Sequence, residues 1–264
     1  MIDLLASLQP VLLIGMLILM YSIENIFPYL NRPDNRKRHY RRNFIISIIS
    51  FLINGFCGTL VVMAIELTAK YRLGLLNQLS LPTGVKVVLG ILLFDFGSYL
   101  AHNLQHKVSF LWRFHRVHHS DPHLNVSSSL RFHPVDVIVS QCIYQCIGTM
   151  LIGLSITSFV IYGTIAIPLL ILQHSNVKIP AKLERILSWV IATPGWHKIH
   201  HSKERVQTDS HYGDVFTFWD RLFGTWGTTQ PHQVQYGLDE FDQDQHHKVG
   251  YLMSSPFKKT ASKS

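Results

Sequence analysis

The sequence predicts an all-α integral membrane protein with about four to five transmembrane helices. A cytoplasmic, histidine-rich helical cap is expected to hold a dinuclear metal site. Three observations lead there. Of 264 residues, 47% are hydrophobic and only 15% charged, whereas soluble domains carry about a quarter charged residues. Five apolar stretches are long enough, or nearly so, to cross a hydrocarbon core of ~30 Å. Histidines recur in clusters: His102–His106 as H-x-x-x-H, then His115–His118–His119 and His197–His200–His201, both as H-x-x-H-H. Residues three and four apart share a helix face, so each cluster is expected to aim its imidazoles at one point. Imidazole is the commonest side-chain metal ligand, and three such clusters in one short chain point to metal.

The apolar stretches are Leu4–Met20, Phe44–Ile65, Val85–Leu100, Val135–Leu154 and Ile156–Leu172. The last two are joined by almost nothing and read as a tight helical hairpin. The first lacks a basic flank and a small-residue cleavage site, so it reads as a retained helix and not a signal peptide.

Between the first two stretches lies Asn31-Arg-Pro-Asp-Asn-Arg-Lys-Arg-His-Tyr-Arg-Arg42. Placed between two apolar spans, this basic loop reads as a cytoplasmic loop by the positive-inside rule and not as a nucleic-acid patch. Counting spans onward puts the loop Thr68–Gly84 outside and every histidine cluster, with the carboxyl-terminal part, on the cytoplasmic side. The net charge of +8 agrees, with Lys107, Arg113, Arg116, Arg131, Lys178, Lys182, Arg185, Lys198, Lys203 and Arg205 expected near anionic headgroups. Cys57, Cys142 and Cys146 all fall in apolar spans and read as packing residues, with no disulfide framework.

Each histidine cluster has a helix expected beneath it. The third span runs on through Ala101 to His106. Asp95 lies two turns before His102 on the same face, and an ionisable residue at membrane depth is costly. Its expected role is to accept the distal ring N–H of a metal-bound histidine. The second cluster ends the helix Val108–His119, stopped by Ser120-Asp121-Pro122; its aromatic and basic mixture suits a helix at the membrane interface. The third follows Thr193 as N-cap and Pro194 as first helical residue. Just before it, Leu183, Ile186, Leu187, Val190 and Ile191 keep the spacing of another interfacial helix.

His174, at the end of the fifth span, is expected as a further ligand. His133 and His211 stay open. His39, His123, His232, His246 and His247, in loops or tail, are expected to be solvated.

One tetrahedral zinc takes three or four protein ligands, so eight or nine converging imidazoles imply two metals. No Glu-x-x-His and no H-E-x-x-H occurs, which removes the carboxylate-bridged di-iron pattern and the zincin protease signal. A histidine-rich pair of metals at a membrane surface suits iron and dioxygen, although the spacing alone admits zinc equally.

Leu111-Trp-Arg-Phe-His-Arg-Val-His-His-Ser120, Arg131-Phe-His-Pro-Val-Asp136, Gln173-His-Ser-Asn176, Thr193-Pro-Gly-Trp-His-Lys-Ile-His-His-Ser202 and Tyr212-Gly-Asp-Val-Phe-Thr-Phe-Trp-Asp-Arg-Leu-Phe-Gly-Thr225 occur in that order after the first pair. Over roughly Phe94 to Thr225 the chain resembles the fatty acid hydroxylase/sterol desaturase superfamily. The resemblance implies a membrane-bound, non-haem di-iron oxygenase acting on lipid C–H bonds. It carries the ligand role to His102, His106, His115, His118, His119, His197, His200 and His201, with His174 added. His211 departs from the asparagine often found before Tyr-Gly.

The expected organisation is thus residues 1–84 as an amino-terminal transmembrane region with a basic loop, and 85–230 as a catalytic domain of this superfamily type. Residues 231–264 form a polar tail expected to be disordered. The aromatic run from Phe216 to Phe223 suits a cover between site and lipid. The leading expectation is an oxygen-dependent lipid hydroxylase with two iron ions, zinc as a possible substitute and dioxygen as co-substrate. Desaturation by the same centre and zinc-dependent lipid hydrolysis are alternatives; a metal transporter or sensor fits poorly with spans nearly devoid of charge. The sequence contains no soluble redox domain, so electrons are expected from a separate protein. The substrate is expected to be a membrane lipid, in the inner membrane if the cell is bacterial.

Overall fold

The computed structural model describes residues 2–32, 34–227 and 234–258. His232 and the last six residues of the expected tail lie outside them. The described residues are helical, with isolated bridges such as Ile191 to Phe216 and no strand among them.

Among the described residues, five helices are long and apolar enough to cross a membrane. They are α1 (Ile2–Ile26), α2 (Arg36–Lys70), α4 (Thr83–Lys107), the span Pro134–Ile152, and α8 (Ile156–His174); α3 is the short turn Leu75–Gln78. The fourth span is built from α6 (Pro134–Val137), a π-helical stretch Ile138–Gln145 and α7 (Cys146–Ile152). All five coincide with the expected stretches. Large apolar side chains on them stand exposed, among them Val11, Ile18, Phe51, Leu52, Phe56 and Leu151. Such a continuous apolar exterior is stable only in lipid.

The hairpin between the fourth and fifth spans turns at Gly153, which ends α7 in the left-handed region at φ 77°. It sits against Gly74, also at positive φ, so closely that a Cβ at Gly74 would overlap the Gly153 backbone. Ser155 then caps α8 by accepting from the Ser158 N–H.

α1 packs along α8 through a core of Met20, Val126 and Ile171. At its end the buried Glu24 carboxylate accepts from the Tyr40 hydroxyl and from the Val126 and Asn176 N–H groups at 2.5, 2.9 and 3.0 Å. One side chain thus joins α1, α2, the 3-10 turn Val126–Leu130 and the end of α8.

At 1.5 Å per residue α2 is about 52 Å long, well beyond the ~30 Å hydrocarbon core. Its first two turns dock on the cap. His39 Nε2 donates to Asp121 at 2.8 Å and Asn43 Nδ2 donates to the other carboxylate oxygen at 2.9 Å. His39 is therefore a half-buried helix residue, a correction to its expected place in a solvated loop.

The cap consists of α5 (Ser109–His119), α9 (Ala181–Leu187), α10 (Pro194–His200), α11 (Arg205–Thr208) and α12 (Phe218–Leu222). Leu183 and Ile186 of α9 are exposed, as are Trp189 and Val190 in the turn that follows, but the helix ends at Leu187, short of the expected Val190 and Ile191. Thr193 and Pro194 take the expected positions at the start of α10, but the Thr193 hydroxyl makes no capping bond.

Three basic side chains expected near headgroups lie inside: Arg116, Arg131 and Lys198. Arg131 donates to Val117 O, Asn43 Oδ1 and Ser120 Oγ, bracing the end of α5 against α2.

The tail is a second correction. Val234 to Lys258 folds back on the bundle and includes α13 (Val249–Ser254). Phe241 and Leu252 share a core with Ile46 and Val117. Arg116 donates to Glu240 and to Ser255 O, each at 2.9 Å. Few apolar residues suffice here because they fill one gap between α2 and α5.

Candidate metal centre

The histidines gather into two adjacent groups. His102, His106, His115, His119 and His200 form one; His118, His174, His197 and His201 form the other. Within each, one potential ligand atom per residue lies within 4.8 Å of all the others.

Neither H-x-x-H-H cluster aims at a single point, which corrects the expectation from spacing. His115 and His119 serve the first group while His118 serves the second; His197 and His201 serve the second while His200 serves the first. At 3.6 residues per turn, positions i and i+4 nearly eclipse and i+3 falls to the other side. One short helix therefore supplies both groups, and His102 and His106 of α4 and His174 of α8 complete them.

The spacing of the nitrogens fits a metal ion. The Nε2 atoms of His118 and His174, His174 and His197, and His197 and His201 are 3.0, 2.9 and 3.1 Å apart; those of His115 and His119 are 3.2 Å apart. Metal–imidazole bonds of ~2.1 Å put neighbouring ligand nitrogens about 3 Å apart.

Four of the outer ring nitrogens are held from behind. His174 Nδ1 donates to Leu170 O, His200 Nδ1 to Ser210 O and His102 Nδ1 to Tyr212 O, at 2.7, 2.7 and 3.0 Å. His115 Nδ1 donates to Asp136 at 3.0 Å, whose other oxygen accepts from Gln105 Nε2 at 2.5 Å. Each bond puts the proton on Nδ1 and leaves Nε2 with a bare lone pair facing inward. His200 Nε2 and His106 Nε2 are buried with no hydrogen-bond partner among the described residues, while His106 Nδ1 lies 3.4 Å from Asp209 Oδ1. Buried polar atoms without partners are rare and costly, so the donor set fits metal.

Electrostatics agree. Burial first, and neighbouring imidazoles second, hold His118, His119, His197 and His201 well below the ordinary histidine range; burial and His102 do the same for His200. The neutral ring is the form that binds metal.

Lys198 lies between His197 and His200 on α10 and belongs to neither histidine group. Its buried Nζ donates to Ser175 O at 2.7 Å, tying α10 to the residue that follows His174. Burial lowers this ammonium to about 8.

Asp95 requires a further correction: it bonds to no histidine. Its carboxylate accepts from Tyr162 OH at 3.0 Å, Trp219 Nε1 at 2.8 Å, and the Val215 and Phe216 N–H groups at 3.3 Å each. The segment Tyr212–Trp219 lies over this face of α4, and its Tyr212 carbonyl takes the His102 ring instead. Asp220 in turn accepts from the Tyr212 and Gly213 N–H groups at 2.8 and 3.0 Å. Burial raises its carboxyl to about 6.

The aromatic run packs on α4, with Trp219 and Phe223 against Phe96 at ring distances of 4.9 and 5.3 Å.

Neither open histidine joins a group. His133 caps α6, its Nδ1 accepting from the Val135 N–H and its Nε2 donating to Met253 O. His211 lies between Trp196 and Trp226, accepting from the Gly227 N–H at 3.1 Å. Asp136, Glu24 and Asp121 are the functional supports that spacing alone did not reveal. The only trace of the first was its place in Arg131-Phe-His-Pro-Val-Asp136.

This arrangement, a membrane helical bundle presenting two histidine groups, defines the class. The chain belongs to the fatty acid hydroxylase family, whose model matches residues 87–225. It is similar to an ornithine lipid hydroxylase of Rhizobium tropici, with 33% identity over 69% of this chain and 55% of that protein. It is also similar to the human alkylglycerol monooxygenase, at 31% identity over 68% of this chain and 40% of the relative. The human cholesterol 25-hydroxylase is 26% identical over 51% of this chain and 48% of its own. The matches therefore span about half the length of these relatives. No solved structure matches the chain.

Proposed function

We propose that the chain is an oxygen-dependent lipid hydroxylase whose two histidine groups each hold one iron. The observation that carries this is the paired geometry: nine inward-facing imidazoles divided between two groups, four of them with Nδ1 fixed by a carbonyl or carboxylate. Relatives named as an ornithine lipid hydroxylase, an alkylglycerol monooxygenase and a cholesterol 25-hydroxylase support the choice of reaction.

Bound iron would supply dioxygen activation and the power to oxidise an unactivated C–H bond. The reaction takes one dioxygen, two electrons and two protons, placing one oxygen atom in the lipid and one in water. The protein's residues hold the ligand rings in their neutral tautomers, Asp136 by orienting His115 and the Tyr212, Ser210 and Leu170 carbonyls by orienting His102, His200 and His174. Burial of both groups keeps bulk water away.

The substrate in this reading is a membrane lipid with its polar end at the interface, because the first histidine pair sits at the end of a span. Electrons come from a separate donor protein, and the site faces the cytoplasm, supported by the basic amino-terminal turns of α2.

Purified protein reconstituted with iron and a reductant, given lipid extract under labelled dioxygen, tests this. One labelled oxygen atom should enter the product. Product oxygen drawn only from water, or turnover undiminished without oxygen, would replace the oxygenase with a hydrolase.

A further inference from the structure

At the start of α2, Arg41 and Arg42 lie three and four residues after Arg38, and Ile45 lies four and three residues after them, so all four border one face of the helix. The tail closes the other side: Asp244, Lys248 and Val249 complete an open groove of about 640 Å³. Four cations meet one carboxylate there. Arg38 and Arg42 share Asp244, at 3.4 Å for the first and 2.7 and 2.9 Å for the second. Arg41 and Lys248 stand exposed, with no ion pair among the described residues.

The same helix face then becomes apolar. Ile45, Ile48 and Leu52 continue the stripe down α2 and are 41%, 44% and 67% exposed. The transition from arginine to isoleucine takes one turn, about 5 Å.

We propose that this groove binds an anionic phospholipid, its phosphate on Arg38, Arg41 and Lys248 and its acyl chains along Ile45, Ile48 and Leu52. A soluble acidic protein would match the charge but not the apolar stripe directly beneath it. The bound lipid would fasten the returning tail to α2 from outside, at the place where Asp244 does so from within. This site is separate from the histidine groups, and its test does not depend on the reaction they catalyse.

The test is native mass spectrometry of the full chain released from mixed micelles of phosphatidylglycerol and phosphatidylcholine. The intact protein should retain one phosphatidylglycerol in preference to phosphatidylcholine. The triple variant Arg38→Gln, Arg41→Gln, Lys248→Gln should lose retention by on the order of a hundredfold, since each cation near a surface contributes roughly fivefold. Asp244→Asn should act in the opposite direction and raise retention several-fold, by freeing Arg42. Inorganic phosphate should not displace the lipid. Equal retention of both lipids, a triple variant that still binds phosphatidylglycerol, weaker retention in Asp244→Asn, or displacement by phosphate would each overturn the proposal. Unchanged lipid retention together with lost binding of an acidic electron-carrier protein would make the groove a protein-docking face instead.

Discussion

His119 and His201 stack nearly face to face, with ring centroids 4.4 Å apart and planes 18° from parallel. Each belongs to a different nitrogen group, so this contact joins the two candidate metal positions and brings α5 against α10. Gently purified protein should carry about two metal ions per chain, because one ion accommodates only three or four of these ligands in tetrahedral geometry. His197→Ala, which touches one group only, should leave about one. Elemental analysis beside protein mass checks both values; a reproducible single ion in the unaltered protein would refute the paired centre.

Asp136 should matter more than its single mention in the sequence suggests. It is the only carboxylate within 3.0 Å of a clustered histidine ring among the described residues. Asp136→Asn is expected to weaken metal retention or turnover about tenfold to a hundredfold, as loss of a ligand's outer partner usually does. Metal titration of the folded variant checks this. Unaltered affinity and rate would reduce the residue to packing.

Asp95→Asn is expected to behave differently. Four donors converge on this carboxylate, all from α8 or from the segment Val215–Trp219. Replacing an acceptor-only group with an amide leaves at least one donor facing another, a cost of about 1–3 kcal/mol. The variant should show a lower melting temperature with metal content near two. Loss of metal at unchanged stability would give Asp95 the direct role that its spacing from His102 suggested.

His211→Asn should be nearly neutral. The residue holds a left-handed backbone at φ 57°, a conformation that asparagine tolerates well. Metal content should stay at two and turnover within about twofold, because backbone strain is unchanged. A missing metal ion would place His211 among the ligands.

Topology is open to direct measurement. Reporters fused after Asn35, after Lys178 and at the carboxyl terminus should all read cytoplasm, and one after Gln78 the opposite side. A carboxyl terminus on the far side would separate the clusters from the basic end of α2.

The sequence by itself determined the five spans, the helices under the histidine clusters and the nine histidines that converge. Hydrophobic length and helical spacing are local properties, and local properties survive translation into structure. His174 was legible for the same reason: it ends a span at the depth of the other clusters. Which histidine joins which group was not legible. Rotation along one helix separates His118 from His119, but only the facing surface of α10 decides what each meets. Asp95 shows the same limit, since spacing placed it beside His102 while the Tyr212–Trp219 segment, more than a hundred residues on, took both side chains for its own backbone and indole. The tail looked disordered because its few apolar residues form no period. Phe241 and Leu252 become a core only when Ile46 and Val117 stand opposite them. Burial of that kind depends on surfaces distant in the chain, and so tertiary structure alone decided it.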